Sequence, residues 1–333
     1  MKRSVRYRKS QQRAFKLLSV LCRFQEWGGV WNGGSANWSA WRFPKPVELA
    51  QIEWCRQTTA STSDRRNCKK LKGFNEMEFV KTRVEAHIGF ITLDRPEKLN
   101  AMTRAMYQEI SRALVDMDCD NDVWVIVVNS SAPKAFSAGA DLSVLHTVLT
   151  QGDFEWNAFR PDRFDMGLRV SKPVIASIAG HCLAGGLELA LSCDLRIAAR
   201  DAKLGTPEVK WSVLHGYGAL VMPHLTSLGK AMELMFTGES ISGEEAERIG
   251  LVNQAVDAAD LTDATLDMAQ KICRNGPIAV RMTKEIILRG LSLDLHDGLR
   301  LYRELNRAVH TSADSVEGMR AWRDRRPANY QNR

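Results

Sequence analysis

The stretch that decides the fold reads VIASIAGHCLAGGLELALSC and spans residues 174–193. It is apolar enough to raise the question of a membrane span, but Glu188 lies well inside it and the pair Gly185-Gly186 interrupts it. On membrane insertion scales a central carboxylate alone costs about 2.5–3.5 kcal/mol. We therefore interpret the stretch as a buried strand, a tight turn and a buried helix, and we predict no membrane span.

A second segment of small residues, FSAGADL at 136–142, also follows an apolar run, VWVIVV at 123–128. Such a run is typical of a strand buried on both faces of a parallel sheet. In open α/β sheets, ligands bind beyond the carboxyl ends of the strands, where small residues allow close approach to the backbone. Two N–H groups that converge there would form an oxyanion hole. Small residues also permit tight helix–sheet packing, so either loop alone leaves both interpretations open.

Regular patterning begins at Met77. Apolar runs predict strands at 79–84, 88–93, 123–128, 174–178 and 195–199. Apolar residues spaced by three and four from Leu99 to Met117 predict an amphipathic helix. Helical patterns dominate later, at 242–248, 260–274, 278–289 and most of 293–323. Strands that alternate with helices predict an α/β fold of right-handed βαβ units, with a core at 77–259 and a helical C-terminal region at 260–333.

The net charge of +7 is unevenly distributed. Residues 1–76 hold 16 Lys and Arg against 5 Asp and Glu, a surplus of +11, whereas residues 77–333 hold 30 against 34, a deficit of −4. Residues 1–76 sustain neither the period of 3.6 residues typical of a helix nor the period of two typical of a strand. We therefore predict a basic extension that is disordered or lies upstream of the native start. Its first 25 residues have the composition of an organellar transit peptide, so an organellar matrix remains open beside the cytoplasm.

Several function classes lack sequence support. The seven cysteines form no C-x-x-C pair and are odd in number, which argues against a disulfide framework and indicates a reducing compartment such as the cytoplasm. The seven histidines lack metal-ligand spacing, and no phosphate loop, dinucleotide motif or serine-hydrolase elbow is present. Basic residues and five of the nine tryptophans in residues 1–76 suggest nucleic-acid binding as an alternative. The acidic core predicts no nucleic-acid partner for residues 77–333.

Four segments in order resemble the crotonase (enoyl-CoA hydratase/isomerase) superfamily, and most closely its enoyl-CoA hydratases. They are DRPEKLNAM at 94–102, FSAGADL at 136–142, HCLAGGLELALSCDLRIA at 181–198 and LGTPEVKW at 204–211. The resemblance covers residues 77 to about 329. It implies a spiral of ββα turns, a helical C-terminal region for trimerisation, a homotrimer or dimer of trimers, and an acyl-CoA substrate. Coenzyme A would arrive as part of that substrate, with no separate cofactor and no metal.

The resemblance also assigns the site residues. The backbone N–H groups of Ala138 and Gly185 would hold the thioester oxygen. Glu188 would deprotonate the water that adds at C3, and Glu208 would deliver the proton at C2. The residues expected to line the acyl-CoA site are Ser137, Gly139, Ala140, Asp141 and Leu142. The sequence agrees on Glu188, since a carboxylate inside an apolar helix is rarely buried without a partner.

One segment departs from the family pattern. Typical hydratases follow the Pro-Glu turn with a Pro-Gly-x-Gly-Gly run, but this chain reads HGYGALVM at 215–222. His215 replaces the proline and Ala219 replaces a glycine. His215 is either a third acid/base group or a plain hydrogen-bonding residue. These changes leave open isomerisation or thioester hydrolysis through the same enolate, and a catalytically silent CoA-binding scaffold.

Overall fold

Two sheets organise the part of the chain that the computed structural model describes, residues 77–141 and 170–333. The larger sheet has six strands, in the spatial order β1 (Val80–Glu85), β2 (Ile88–Leu93), β3 (Val125–Ser130), β5 (Val174–Ile178), β7 (Leu195–Ala199) and β10 (Gln254–Val256). The smaller sheet has four, in the order β4 (Ala135–Ser137), β6 (His181–Leu183), β8 (Lys203–Gly205) and β9 (Ser240–Ser242). The predicted extension at 1–76 and Leu142 lie outside the described residues.

The chain alternates between the two sheets. After the antiparallel hairpin β1–β2, each of β3, β5 and β7 joins the larger sheet, and the strand that follows it joins the smaller one. Neighbours from β2 to β10 in the larger sheet are parallel, and so are β4, β6 and β8 in the smaller sheet. This repeated two-strand step corresponds to the spiral that the family resemblance implied, within the α/β fold that the sequence pattern predicted.

Nine α-helices occur within the described ranges. They are α1 (Arg104–Cys119), α2 (Gly185–Ser192), α3 (Tyr217–Leu225), α4 (Leu228–Thr237), α5 (Gly243–Arg248), α6 (Leu261–Cys273), α7 (Pro277–Gly290), α8 (Leu295–His310) and α9 (Ala313–Arg323). Short 3-10 turns lie at Pro96–Lys98, Pro207–Trp211 and Ala258–Asp260. The core lies between the larger sheet and the helices that pack on it, chiefly α1 and α6, and α2 packs against β4 and β6 of the smaller sheet.

Two predicted boundaries were wrong. The amphipathic helix begins at Arg104, not near Leu99, because the proline turn puts Leu99 and Asn100 in the left-handed conformation. Thr103 then caps the helix, its side chain accepting the Met106 N–H at 3.3 Å. The strand predicted at 123–128 lies two residues later, at Val125–Ser130.

The cysteines behave partly as predicted. Cys182, Cys193 and Cys273 are free thiols, but Cys119 is disulfide-bonded, which the cysteine pattern did not predict. Among the described residues, no cluster of three or more His, Cys, Asp or Glu side chains could hold a metal ion. None of the helices within those residues combines the length and apolarity needed to cross a bilayer.

Candidate active site

Glu188 lies in the first turn of α2, a helix enclosed by the core. Every residue from Gly186 to Ser192 is buried, and Glu188 itself is 8% exposed. Its carboxylate Oε1 accepts the backbone N–H of Gly218 at 3.0 Å. A buried carboxylate needs such a donor, because burial without one costs several kcal/mol. The sequence signal of a lone charge in an apolar helix therefore marks a held functional group.

Glu208 lies on the 3-10 turn Pro207–Trp211, and its side chain is 12% exposed. Its Oε2 lies 3.1 Å from Nδ1 of His215. On the other side of the imidazole, Nε2 lies 3.1 Å from the backbone carbonyl oxygen of Met235 in α4. Glu208 is thus almost enclosed, and within the described residues its carboxylate faces the imidazole of His215.

A single turn, residues 215–218, contacts both carboxylates. Its first residue, His215, faces Glu208, and its last, Gly218, binds Glu188. Gly216 packs so closely that a Cβ built there would lie 2.9 Å from Oε1 of Glu188. The structure therefore places both Glu188 and Glu208 in contact with one segment, and the acid/base roles that the resemblance implied for them stay a prediction.

The loop after β4 differs from the prediction at Ser137. This side chain is fully buried, its hydroxyl donating to the Asn100 carbonyl oxygen at 2.8 Å and accepting the Gly139 N–H at 3.1 Å. Ser137 was predicted to line the substrate site. Instead its hydroxyl holds the loop from the inside and has no free face for a ligand.

Ala138 was predicted to supply an oxyanion-hole N–H, and this assignment was wrong. Its N–H donates to the Leu99 carbonyl oxygen at 3.0 Å. The nearby N–H that makes no backbone hydrogen bond within the described residues is that of Ala140. A Cβ built on Gly185 would lie 3.6 Å from the Ala140 nitrogen, which places these two backbones side by side. As the first residue of α2, Gly185 has an N–H without an intrahelical acceptor, so the converging pair is Ala140 and Gly185.

Gly139 and Asp141 hold this arrangement rather than only lining it. Gly139 has φ +94°, and a Cβ there would lie 2.8 Å from Cβ of Ala184, so no other residue fits. Asp141 forms an ion pair with Arg95 at 2.8 Å, and Arg95 also donates to the Ala101 carbonyl oxygen at 2.7 Å. The loop is thereby fastened to the segment at 95–101. The substrate-binding role of Asp141 stays a prediction, and the contact that the structure defines is its ion pair with Arg95.

Asn100 is a site residue that the sequence reasoning missed. It is fully buried, and its amide donates to the Ser130 hydroxyl at 2.7 Å and the Phe136 carbonyl oxygen at 3.0 Å. Its own side-chain oxygen accepts the Arg95 N–H at 2.7 Å. These bonds fix the position of the loop that carries Ala140. The DRPEKLNAM segment contained the signal, since a buried amide with four hydrogen-bonding positions suits a junction between loops.

Comparison with known proteins agrees with this geometry. A family model for enoyl-CoA hydratase/isomerase matches residues 83–333. The chain belongs to the enoyl-CoA hydratase/isomerase family. The predicted membership of the crotonase superfamily is therefore confirmed.

Curated relatives in the enoyl-CoA hydratase/isomerase family match nearly over their whole length. A probable enoyl-CoA hydratase of Mycobacterium leprae is 38% identical over 247 residues, covering 74% of this chain and 95% of the relative. A short-chain-enoyl-CoA hydratase of Clostridium acetobutylicum is 32% identical, covering 75% and 97%. A crystal structure of enoyl-CoA hydratase from Bacillus anthracis is 33% identical with a TM-score of 0.69, covering 77% of this chain and 100% of that one. The fold prediction is confirmed with it.

Arg196 in β7 binds the C-terminal end of α2. The sequence did not predict this residue as part of the site. It is 4% exposed and donates to the carbonyl oxygens of Leu251 and Cys193, both at 2.8 Å, and of Ala190 at 3.3 Å. Burial lowers its pKa, but the guanidinium remains charged. A cation beside the C-terminal carbonyls of α2 complements the helix dipole. Arg196 therefore fixes the end of the helix whose first turns carry Gly185 and Glu188.

The two buried cysteines near α2 are not nucleophiles. Burial raises the pKa of the Cys193 thiol to about 12 and raises the pKa of the Cys182 thiol further still. A thiol with a raised pKa holds almost no thiolate at neutral pH, and the thiolate is the reactive form. Among the described residues, the groups that the site offers for chemistry are therefore two carboxylates, one imidazole and two backbone N–H groups.

Proposed function

We propose that this chain is an enoyl-CoA hydratase, a hydro-lyase that adds water reversibly to a 2-enoyl-CoA thioester. The observation that carries the proposal is the placement of Glu188 and Glu208 around one turn. Gly185, three residues before Glu188 on the same helix, supplies one N–H of the oxyanion hole. A base, an acid and an oxyanion hole on fixed elements are what the addition of water to a conjugated thioester needs.

In the proposed mechanism the thioester carbonyl oxygen accepts hydrogen bonds from the backbone N–H groups of Ala140 and Gly185. Glu188 takes a proton from a water molecule as the water oxygen bonds to C3. The electron pair of the double bond then moves toward C2 and the thioester, which gives an enolate. Glu208 then gives its proton to C2, and the thioester carbonyl re-forms. Release of the proton on Glu188 and uptake of one by Glu208 reset the pair. Coenzyme A takes part only as the substrate's thioester, and we propose no separate cofactor or metal.

The enzymatic alternatives use the same enolate. Double-bond isomerisation needs one carboxylate that moves a proton, and thioester hydrolysis needs water at the carbonyl carbon. Two enclosed carboxylates that contact one segment favour hydration over isomerisation and over thioester hydrolysis. Each carboxylate has a distinct task only when water adds across the double bond. Nucleic-acid binding was suggested by residues 1–76, which lie outside the described residues.

The test is turnover of crotonyl-CoA and of a panel of longer 2-enoyl-CoA thioesters, measured as the loss of the enoyl absorbance. We expect hydration by the wild-type protein. Glu188→Gln and Glu208→Gln should each lower kcat by about 10²- to 10⁴-fold while a thioester product analogue still binds. Absence of turnover across the panel would reject the hydratase, and unchanged kcat in either variant would remove that glutamate from the mechanism.

We further propose that the chain assembles as a homotrimer or a dimer of trimers through its C-terminal helices. No side chain of α8 is buried, although the helix is strongly amphipathic. Large apolar side chains stand exposed on α7 to α9 and the loop between α7 and α8, among them Ile287, Leu291, Leu295, Tyr302, Met319 and Trp322. Large apolar side chains exposed in such number are typical of a subunit interface. Analytical ultracentrifugation should give three or six times the chain mass, and a monomer would reject the proposal.

For location we propose the cytoplasm, with an organellar matrix if residues 1–76 direct import. A relative from Dictyostelium discoideum, 34% identical, is described as a probable mitochondrial enoyl-CoA hydratase. Imaging of a fluorescent fusion with and without residues 1–76 distinguishes the two. A fusion that is organellar only with those residues would reject the cytoplasm.

A further inference from the structure

His215 is a titratable side chain of the candidate site that the proposed mechanism does not use. It is nearly enclosed, with its side chain 8% exposed, and both ring nitrogens face a polar atom. Nε2 lies 3.1 Å from the Met235 carbonyl oxygen. Because a carbonyl oxygen can only accept, the hydrogen in this contact belongs to the imidazole. Met235 therefore fixes which nitrogen carries a hydrogen in the neutral ring.

The other nitrogen, Nδ1, lies 3.1 Å from Oε2 of Glu208. The two atoms are not aligned as a hydrogen bond, and neither has another hydrogen-bond partner within the described residues. A neutral ring with its hydrogen on Nε2 presents a lone pair at Nδ1. A lone pair so close to an ionised carboxylate oxygen is repulsive, so the contact requires one proton, on the carboxyl group or on Nδ1.

We propose that His215 is the positioning residue of Glu208, which holds the carboxyl group in place and shares one proton with it. The inference rests on the proposed hydratase function. Glu208 alternates between an acid, before it protonates C2, and a carboxylate afterwards. After a small reorientation of the two groups, neutral imidazole can accept a hydrogen bond from the acid. Once the acid has given its proton to C2, the proton taken up from solvent to reset the pair can enter on Nδ1, and the imidazolium then donates a hydrogen bond to the carboxylate. The same contact therefore orients Glu208 in both states.

Few other charged groups reach this turn. Glu188 contacts it at Gly218 and is held there by a backbone N–H. Lys210, on the turn that carries Glu208, is paired with Glu239 at 2.7 Å. Met235 in α4 contributes only its carbonyl oxygen. Tyr217, within the same segment, is also titratable, and burial raises the pKa of its phenol.

Two substitutions separate the two contacts of the imidazole. Glutamine places an amide near the position of Nε2, so His215→Gln keeps the bond to Met235 and loses the contact with Glu208. Asparagine places its amide near Nδ1, so His215→Asn does the reverse. We expect His215→Gln to lower kcat about ten- to hundredfold with KM nearly unchanged, since a misplaced reacting group affects the chemical step. His215→Asn should keep more of kcat but alter its pH profile, because the titratable partner is gone.

The decisive measurement combines the variants. In a Glu208→Gln background, His215→Gln should cause no further loss of kcat, because both act through one group. A loss of equal size in both backgrounds would show a purely structural role and overturn the proposal.

A second readout does not depend on turnover. In protein labelled with ¹⁵N-histidine, with His215→Asn used to assign the signal, Glu208→Gln should shift the Nδ1 resonance of His215 and leave Nε2 nearly unmoved. An unmoved Nδ1 resonance would overturn the shared proton. If the wild-type protein hydrates no enoyl-CoA, the proposed function fails, and this spectrum alone decides whether His215 and Glu208 are coupled.

Discussion

Two glycines of the turn at 215–218 provide a matched test of the position of Glu188. A Cβ on Gly216 would lie 2.9 Å from Oε1 and 3.2 Å from Oε2 of Glu188, whereas one on Gly218 would lie 3.5 Å from Oε1. The first contact forces one group to move, and the second is an ordinary van der Waals contact. We therefore predict that Gly216→Ala displaces the Glu188 carboxylate and that Gly218→Ala leaves it in place.

The size of the effect follows from the distances. To restore an ordinary contact, the carboxylate and the new methyl group must separate by about 0.5 Å. A displacement of 1 Å at a reacting group can cost about 10²-fold, so half of that corresponds to about tenfold in kcat. This is about 1.4 kcal/mol in the activation barrier. KM should stay within about twofold, because the thioester-binding N–H groups of Ala140 and Gly185 are unchanged.

The assay is the initial rate of crotonyl-CoA hydration by the wild-type protein and both variants. Thermal unfolding of all three is the stability control. Gly218 lies in α3, where alanine is favoured over glycine by about 0.5–1 kcal/mol, so Gly218→Ala should be at least as stable as the wild type. The reasoning is refuted if Gly216→Ala keeps kcat within twofold of the wild type, or if both variants lose the same factor.

Two further predictions concern buried cations. Burial lowers the pKa of Lys172 to about 8 from 10.5, so the unfolded chain binds more protons between these values and stability rises with pH. Relative to Lys172→Met, the wild-type free energy of unfolding should gain about 2 kcal/mol between about pH 7.5 and 9.5, measured by urea unfolding; a pH-independent difference would contradict this. Arg196→Met leaves carbonyl acceptors of α2 without their donor and should cost about 3 kcal/mol and lower kcat. Arg200→Met, at a residue whose side chain is 49% exposed, is its control, and equal losses in the two variants would argue against the role of Arg196.

The sequence predicted the elements that local pattern determines. The strand and helix of 174–193 could be predicted because a continuous apolar run broken by Gly185-Gly186 has few other structures available. Glu188 was identifiable because a charge within that run needs a partner. The order of the strands in the two sheets was not predicted, since apolar runs do not specify which strands pair and the family resemblance implied only a spiral of ββα turns.

The oxyanion hole shows where prediction from sequence ends. The motif FSAGADL identifies the loop, but which N–H points outward depends on a contact 39 residues away in the chain, between Ala138 and the Leu99 carbonyl oxygen. That contact exists because Leu99 and Asn100 adopt left-handed backbone conformations, with φ of 51° and 52°. A helical pattern starting at Leu99 predicted the opposite. The incorrect helix start at Leu99 and the choice of Ala138 instead of Ala140 therefore concern the same contact.

The restraints on the two glutamates explain why their roles differ. A backbone N–H, here that of Gly218, can only donate, so it favours the ionised form of Glu188 and suits a base that takes a proton from water. An imidazole can accept from an acid or donate to its conjugate base, so His215 can support Glu208 in either form. Glu208 is thus suited to deliver a proton and then to remain bound as a carboxylate. The contacts of the two carboxyl groups therefore support the proposed assignment of base to Glu188 and acid to Glu208.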